Sequence, residues 1–494
     1  MKICLFNIKA KDFSLPPYGI WVLKSYLDFY SEANGLNIDV KCLTFEHNTP
    51  YKDIYHELVS ERPDLIGVSH YIWNDSSTMN ILNKLKTDIF YPVNIIVGGP
   101  HVSVADKRLV SLLEQQKIDA MIIGEGEIPL LHIVNCLHSQ EDISPIPGIL
   151  CESNIREGYV PQFFKTNENI NYLPNPYLNE KELLNESVNV GVIQYETSRG
   201  CPFTCTFCDQ GHKPYRSLTI ERIKEDLTYF STKGIKHISF LDSTFNLSPK
   251  RTVEILKNLI HLNKEWTFHA EIKPENLTST EIDLMAQANC YSVELGLQSV
   301  NEPTLKFIKR RNNWKRIEDN VTQLLNKNIN VIVNTIIGLP GEGIKEWFAT
   351  LDYCFNLGRI KIYSNILKIL PNTDMFEQIE EFEFNFNVEK FNAIESTKTF
   401  TKEQIKKAIT INKLVNLFWN DVNTPNSIVE IVQKGYEGKF HRFLESLYFY
   451  LINNPNLLNE NFRVNTLKKI IEDKKLEEEL VYKVNNDFEV RVGI

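Results

Sequence analysis

Between Lys2 and Cys136, and again between Val190 and Leu370, short apolar runs rich in β-branched residues alternate with longer amphipathic stretches. Strands buried on both faces read as continuous apolar runs, and an intervening helix returns the chain to the same sheet in parallel. The chain is thereby restricted to α/β architectures. In the first series the runs are Ile3 to Ile8, Ile38 to Phe45, Leu65 to Ser69, Ile95 to Gly99 and Ala120 to Gly124. They predict a doubly wound parallel sheet of the Rossmann or flavodoxin-like kind. In the second they are Val190 to Thr197, His237 to Leu241, Thr267 to Ile272, Ser292 to Leu297, Val331 to Ile337 and Lys361 to Leu370. Six strands alternating with helices predict a partial (β/α) barrel, TIM-like in plan.

A turn-rich stretch from Ser144 to Glu180, with Pro145, Pro147, Gly148, Pro161, Pro174 and Pro176, separates the two series. From about Asn385 the alternation stops. Thr401 with Gln404 resembles a capping box, and helical periodicity runs on through Ile428 to Lys434, Phe440 to Ile452 and Asn465 to Lys483. The aromatic stripe Phe440, Phe443, Tyr448, Phe449 and Tyr450 reads as core of this small α-helical domain, which would close the open side of the barrel or shape its pocket. The expected units are 1–140, a linker 141–186, a barrel 187–385 and a helical domain 386–494.

A chain of 494 residues is too long for one ordinary core. With 43% hydrophobic and 24% charged residues it has the composition of a soluble globular protein. A net charge of -9 with no compensating basic run argues against a nucleic-acid partner, and a neutral or cationic substrate is easier to accommodate. No apolar run approaches the thickness of a bilayer, and the N-terminus reads as a first strand rather than a signal peptide. Nine cysteines without a framework spacing fit a reducing compartment, so the expected location is cytoplasmic.

The first barrel strand delivers Thr197-Ser198-Arg199-Gly200-Cys201-Pro202-Phe203-Thr204-Cys205-Thr206-Phe207-Cys208 at its carboxyl end, where barrel chemistry belongs. Thiols spaced C-x3-C-x2-C can converge on one metal centre but cannot easily pair as disulfides without strain. A closed zinc site or a fully protein-ligated cluster wants four protein ligands, whereas this loop offers three. Two readings follow. His212 could complete a Cys3His zinc site, or three thiolates could hold a [4Fe-4S] cluster with one iron open. The surrounding barrel pattern favours the second, because a zinc knuckle does not explain it. Polar residues also collect at the strand ends: Asp242 and Thr244 on the second, His269 and Glu271 on the third, Glu294 and Gln298 on the fourth, Asn334 and Gly338 on the fifth. They make a polar pocket facing the loop, although some could simply cap helices. In the first domain His70-Tyr71-Ile72-Trp73-Asn74, Gly98-Gly99-Pro100-His101 and Gly124-Glu125-Gly126-Glu127 occupy the carboxyl edge of the sheet, where ligands of such sheets bind.

Tyr71-Ile72-Trp73-Asn74, the cysteine loop with aromatic Phe207 before its last cysteine, Phe245-Asn246, Glu294-Leu295-Gly296-Leu297-Gln298-Ser299 and Ile369-Leu370-Pro371-Asn372-Thr373 together resemble the cobalamin-dependent radical S-adenosylmethionine (SAM) family. Within that family the chain resembles the branch related to the anaerobic Mg-protoporphyrin monomethyl ester cyclase. The resemblance covers roughly the first 380 residues. It implies a cluster on Cys201, Cys205 and Cys208 whose open iron chelates SAM and whose reduction yields a 5'-deoxyadenosyl radical. It implies SAM contacts from Phe207, Asp242, Thr244, Glu271, Glu294, Gln298 and Gly338. It implies cobalamin contacts from Tyr71, Trp73, Asn74, Gly98, Gly99, Pro100, His101, Gly124, Glu125 and Gly126, with His70 nearby. Since D-x-H-x-x-G is absent, no histidine of that motif would bind cobalt.

The activity so implied is methylation of an unactivated carbon by way of the radical and methylcobalamin. The same motifs would serve a non-methylating oxidation, cyclisation or rearrangement, and a cobalamin-binding sensor with a structural cluster is the non-enzymatic alternative. Expected partners are a small-molecule or peptide substrate and an electron donor such as flavodoxin or ferredoxin. Asn334 and Gly341 depart from the family's G-x-I-x-G-x-x-E, Ser243 stands where arginine is common and Asn372 where glycine is.

Overall fold

The computed structural model describes residues 1–158, 169–211, 213–262, 265–421, 426–453, 462–477 and 479–489. Strands β1 (Lys2–Ile8), β2 (Asp39–Phe45), β3 (Leu65–Ser69), β4 (Asn94–Gly98) and β5 (Ala120–Ile122) form a parallel sheet in the order β2-β1-β3-β4-β5. Alternation along each strand sends side chains to opposite faces. Ile3 and Leu5 meet the helices Tyr18–Ala33 and Glu127–Ser139, whereas Cys4, Phe6 and Ile8 meet Tyr51–Glu61, Asp75–Asp88 and Lys107–Glu114. The strand order reverses between β1 and β3, and the crevice outside their carboxyl ends is where such sheets take ligands.

The first unit continues beyond the expected boundary at residue 140. Its next strand, β6 (Ile149–Cys151), is fully buried and pairs antiparallel with β5, so the start of the presumed linker is sheet. The end of that linker is helix. Val190, expected in a strand, closes the helix Lys181–Val190; Gly191, at φ +78°, takes the left-handed conformation that stops it.

The second sheet comprises β7 (Val192–Tyr195), β10 (His237–Phe240), β11 (Thr267–Ile272), β12 (Cys290–Gln298), β13 (Asn330–Ile337) and β14 (Lys361–Ile366), with the short pair β8 (Ser198–Arg199) and β9 (Arg216–Ser217) at its mouth. Its order is β14-β13-β12-β11-β10-β7, each neighbour parallel, which is an arc of a barrel left open between β7 and β14. Open edges present unpaired backbone groups. At β7 the Tyr177 hydroxyl accepts from the Gln194 amide (3.1 Å) and donates to the Gln194 carbonyl (3.0 Å). At β14 the Asn420 side chain accepts from Ile362 N (2.8 Å) and donates to Ile362 O (2.6 Å), while Asn412 Nδ2 donates to Ser364 O.

The C-terminal helices supply Asn412 and Asn420, and Phe440 of the helix Phe440–Asn453 stacks on Phe355 of the barrel at 4.8 Å. The helical domain therefore closes the open flank. Asn420→Ala should strand two buried strand-edge groups and lower stability by about 1–3 kcal/mol, read as an earlier urea midpoint. Of the expected aromatic stripe, Phe440 and Phe443 are core, but Phe449 is 56% exposed.

Two further differences concern short elements. The sixth strand ends at Ile366 rather than Leu370, because the chain then bonds to a hairpin of β15 (Asn385–Asn387) and β16 (Ala393–Ser396), through Ile369 N to Asn392 O and Ile394 N to Leu367 O. The helix expected over Asn465 to Lys483 is two, Phe462–Asp473 and Glu479–Glu489. Among the described residues, no helix is long and apolar enough to cross a membrane.

Candidate functional site between two strand edges

The carboxyl edge of the first sheet and the mouth of the barrel face one cavity of about 1500 Å³. Polar contacts hold the two halves together: Gln194 Nε2 to Pro16 O (3.0 Å), Asn372 Nδ2 to Val102 O (3.2 Å) and Asn179 Nδ2 to Ser25 Oγ (3.0 Å).

The cysteine loop enters this cavity on a short ladder. β8 and β9 pair antiparallel, Ser198 with Ser217 and Arg199 with Arg216, and tie the two ends of the loop together. Gly200 follows at φ +78°, and a Cβ there would come within 2.3 Å of Pro214 O, so the turn into Cys201 requires glycine. Inside the loop Cys208 N donates to Cys205 O, Thr206 N to Ile308 O, and Met375 N to Thr206 O. Cys201, Cys205, Phe207 and Cys208 line the cavity, and none of the other cysteines does. Burial pushes the Cys201 thiol up and the Cys208 thiol up to about 11. Thiols so enclosed are poor free nucleophiles, whereas a bound metal deprotonates them outright. Three thiols lining one cavity match, in number and chemistry, three protein-held irons of a cubane. His212, the fourth ligand of the zinc reading, lies outside the described residues.

From the barrel, Thr244, Glu271, Glu294, Gln298 and Asn334 line the cavity. Glu271 and Glu294 are register partners on β11 and β12. Enclosure, with Glu294 close by, pushes Glu271 up to about 7. Glu294 accepts from Asn334 Nδ2, and His269 Nε2 lies 3.8 Å away. Gln298 takes φ +69°, and its buried Oε1 has no hydrogen-bond partner among the described residues. A strained residue with an unmet acceptor at a strand end marks a place for a ligand's donor.

Two expected barrel contacts are elsewhere. Asp242 is fully buried beneath the loop and accepts from Thr197 N (3.0 Å), Thr197 Oγ1 (2.6 Å) and Ser198 Oγ, with Arg251 at 3.7 Å. It pins the root of the cysteine loop and does not line the cavity. Gly338 is packed against Ile394 and Ile405, so β16 and the helix Lys402–Val415 stand where an approaching ring was expected.

From the first domain, Tyr71, Trp73, Gly98, Gly99, Pro100, Gly124, Glu125 and Gly126 line the opposite wall. Tyr71 and Trp73 stack at 4.3 Å, presenting a flat aromatic surface, and Trp73 is 44% exposed. Gly99, at φ +114°, leaves no room for a Cβ, which would lie 2.6 Å from His70 O. Glycine backbone and an aromatic plane suit a large flat ring with polar edges.

Asn74 and His101 do not reach the cavity. Asn74 clamps the loop after β3, accepting from Tyr71 N and donating to Ser69 O and Ile8 O. His101 packs edge-on against His70 at 5.0 Å beside Asp75. The ligand atoms of His70, Asp75 and His101 lie within 4.8 Å of one another. Both Asp75 oxygens already accept from the Arg108 guanidinium (3.0 and 2.9 Å), which stands where a bound cation would need room. Burial opposes its charge, yet hydrogen bonds from His70 and Arg108 hold Asp75 at about 2; burial beside His70 holds His101 down to about 4. This cluster braces the wall.

A largely enclosed charge network, not foreseen from the sequence, crosses between the domains. Arg199 meets Glu127 at 2.7 Å, Glu196 at 2.8 Å and Glu125 at 3.6 Å, and Arg216 meets the same Glu125 at 3.2 Å. Burial disfavours the Arg199 charge, but Glu127, Glu196 and Glu125 more than restore it. The ladder of β8 and β9 sets the two arginines side by side, so the cysteine loop and the glycine-rich loop after β5 are fastened together. Arg199 stands two residues before Cys201, and that adjacency was the available signal.

The profile of the Radical SAM superfamily matches residues 195–354 and that of the B12 binding domain residues 9–134. The uncharacterized methyltransferase PH0819 of Pyrococcus horikoshii is 26% identical over 80% of this chain and 86% of its own length. The cobalamin-dependent radical SAM methyltransferase TokK of Streptomyces tokunonensis is 23% identical over 80% of this chain and 62% of its own. Among solved structures, the cobalamin-dependent SAM radical enzyme OxsB with aqua-cobalamin and SAM bound superposes with a TM-score of 0.65 at 16% identity, covering 99% of this chain and 84% of that one.

Proposed function

Because the chain belongs to the radical SAM superfamily and carries a B12-binding domain ahead of the barrel, we propose that it is a cobalamin-dependent radical SAM methyltransferase acting on an unactivated carbon. One observation carries this reading: a three-thiol loop and a glycine-rich sheet edge open onto the same cavity from opposite sides. Bound there, a [4Fe-4S] cluster would supply the electron that splits SAM, and cobalamin the methyl group to be transferred. The protein's own work is positional. Cys201, Cys205 and Cys208 would hold the cluster, with no fourth cysteine on the cavity wall; Thr244, Glu271, Glu294 and Gln298 would offer hydrogen-bond partners to SAM or the substrate. Tyr71, Trp73 and the glycines at 98, 99, 124 and 126 would seat the corrin, and neither His70 nor His101 of the β3 and β4 loops lines the cavity. Enclosure between two domains excludes water, which a carbon-centred radical requires.

A small-molecule or peptide substrate, a one-electron donor of the flavodoxin or ferredoxin kind and a cytoplasmic location belong to the same reading. All nine cysteines are free thiols, which suits a reducing compartment. The direct test incubates reduced holoprotein with SAM labelled in its methyl group and panels of candidate substrates. Label should reach cobalamin and then a carbon of one substrate class; 5'-deoxyadenosine without label in any product would contradict methyl transfer. Glu271 adds a pH dependence. With its carboxyl near 7, it gains charge as pH rises through that value, so SAM affinity should increase over that interval and level off above it. The Glu271→Gln variant should show a flat profile; an inflection surviving in that variant would clear Glu271 of the role.

A further inference from the structure

Beside the cysteine loop stands Arg310, on the chain that follows β12. Arg310 Nη1 lies 3.8 Å from Cys205 Sγ. Its Nη2 donates to the carbonyl of Gly296 near the end of β12, and its Nε donates to Asn312 Oδ1 at 3.3 Å. Asn312 is itself tied to the strand, donating from Nδ2 to Leu297 O at 3.3 Å. The guanidinium is thus held in one orientation, with one arm left for the thiol. Gly296 also leaves room for the Gln298 side chain, whose Nε2 would lie 2.4 Å from a Cβ at this position. The adjacent Lys309 is turned to Asp374 at 2.7 Å, so the two neighbouring cations have different partners.

We propose that Arg310 raises the reduction potential of the cluster by holding its guanidinium against the Cys205 thiolate. The proposal rests on the reading that Cys201, Cys205 and Cys208 carry that cluster. Reduction adds one electron from an external one-electron donor, with no bond made or broken and no proton taken up. The added negative charge is stabilised by a nearby cation and by an N–H directed at a ligating sulfur, and both effects favour the reduced form. A fixed guanidinium also needs no reorganisation when the electron arrives.

The experiment compares reconstituted wild type, R310Q and R310K in the absence of SAM. Iron is counted in each, and the reduced-cluster EPR signal is followed while dithionite and mediators set the potential. At the wild-type midpoint, R310Q should show a reduced-to-oxidised ratio about tenfold lower, equivalent to about 59 mV for a one-electron couple. R310K, which keeps the charge but cannot reach Gly296 O and the sulfur together, should fall between the two. An unchanged potential in R310Q with its full iron would overturn the proposal. Loss of iron from both variants would make Arg310 a clamp of the loop, and would overturn it as well. Wild-type protein that takes up no cluster would instead refute the reading of the cysteine loop itself.

Discussion

Alanine at Cys201, Cys205 or Cys208 is expected to abolish 5'-deoxyadenosine formation, lowering it to the level of a protein-free control in anaerobic protein supplied with iron, sulfide, dithionite and SAM. The three thiols sit on one loop whose ends are tied by the ladder of β8 and β9, and no other cysteine lines the cavity to replace a missing one. Cys42→Ala, in the first domain, provides the comparison and should leave the nucleoside yield unchanged. The loop is pinned independently by Asp242 and by the Thr206 contacts to Ile308 and Met375. The cysteine variants should therefore keep the wild-type fold, as read by circular dichroism, while losing their iron. Nucleoside formation persisting in any of the three would remove the chemical basis of the account.

The second large effect concerns Arg199. Replacing it with leucine leaves buried Glu127 and half-buried Glu196 and Glu125 short of a cation. Breaking a fully buried pair costs about 3–5 kcal/mol, and the partial exposure of two partners places this loss near or below the lower end of that range. The loss falls on the junction of the two domains, so Arg199→Leu should lower the thermal midpoint and weaken cobalamin retention together. The Arg199→Lys variant keeps a charge without the fork and should show a smaller loss. A double-mutant cycle with Glu127→Gln measures the coupling directly. An Arg199→Leu protein as stable as wild type, retaining cobalamin as well, would show that the two loops hold their register without this network.

Much of the architecture was legible because parallel strands covered on both faces leave continuous apolar runs, and all eleven such runs coincide with strands to within a few residues at their ends. What escaped were elements too short to leave a period: β6, the β8 and β9 ladder, and the hairpin of β15 and β16. The cysteine loop was legible for a different reason, since its chemistry is contained in eight consecutive residues, Cys201 to Cys208. Residues whose direction depends on remote neighbours were not. Asn74, His101, Asp242 and Gly338 stand at the expected strand ends but turn into the walls or pack beneath the loop, where hydrogen bonds and close packing hold them. Conversely, Arg216 and Arg310 carried no local signal, because Glu125 lies 91 residues from the first and Cys205 lies 105 residues from the second. A motif announces chemistry when its partners are sequential, and a charge network announces itself only once the chain is folded.

The most direct measurement of the central claim, that one cavity takes both cofactors, is magnetic. Protein loaded with cob(II)alamin and a reduced cluster holds two unpaired spins, and EPR line shapes and relaxation report whether they feel each other. If the thiol loop and the glycine-rich edge seat their cofactors across the same space, each spectrum should broaden and relax faster when the other centre is paramagnetic. Two spectra indifferent to one another, in protein carrying both centres at full occupancy, would contradict it.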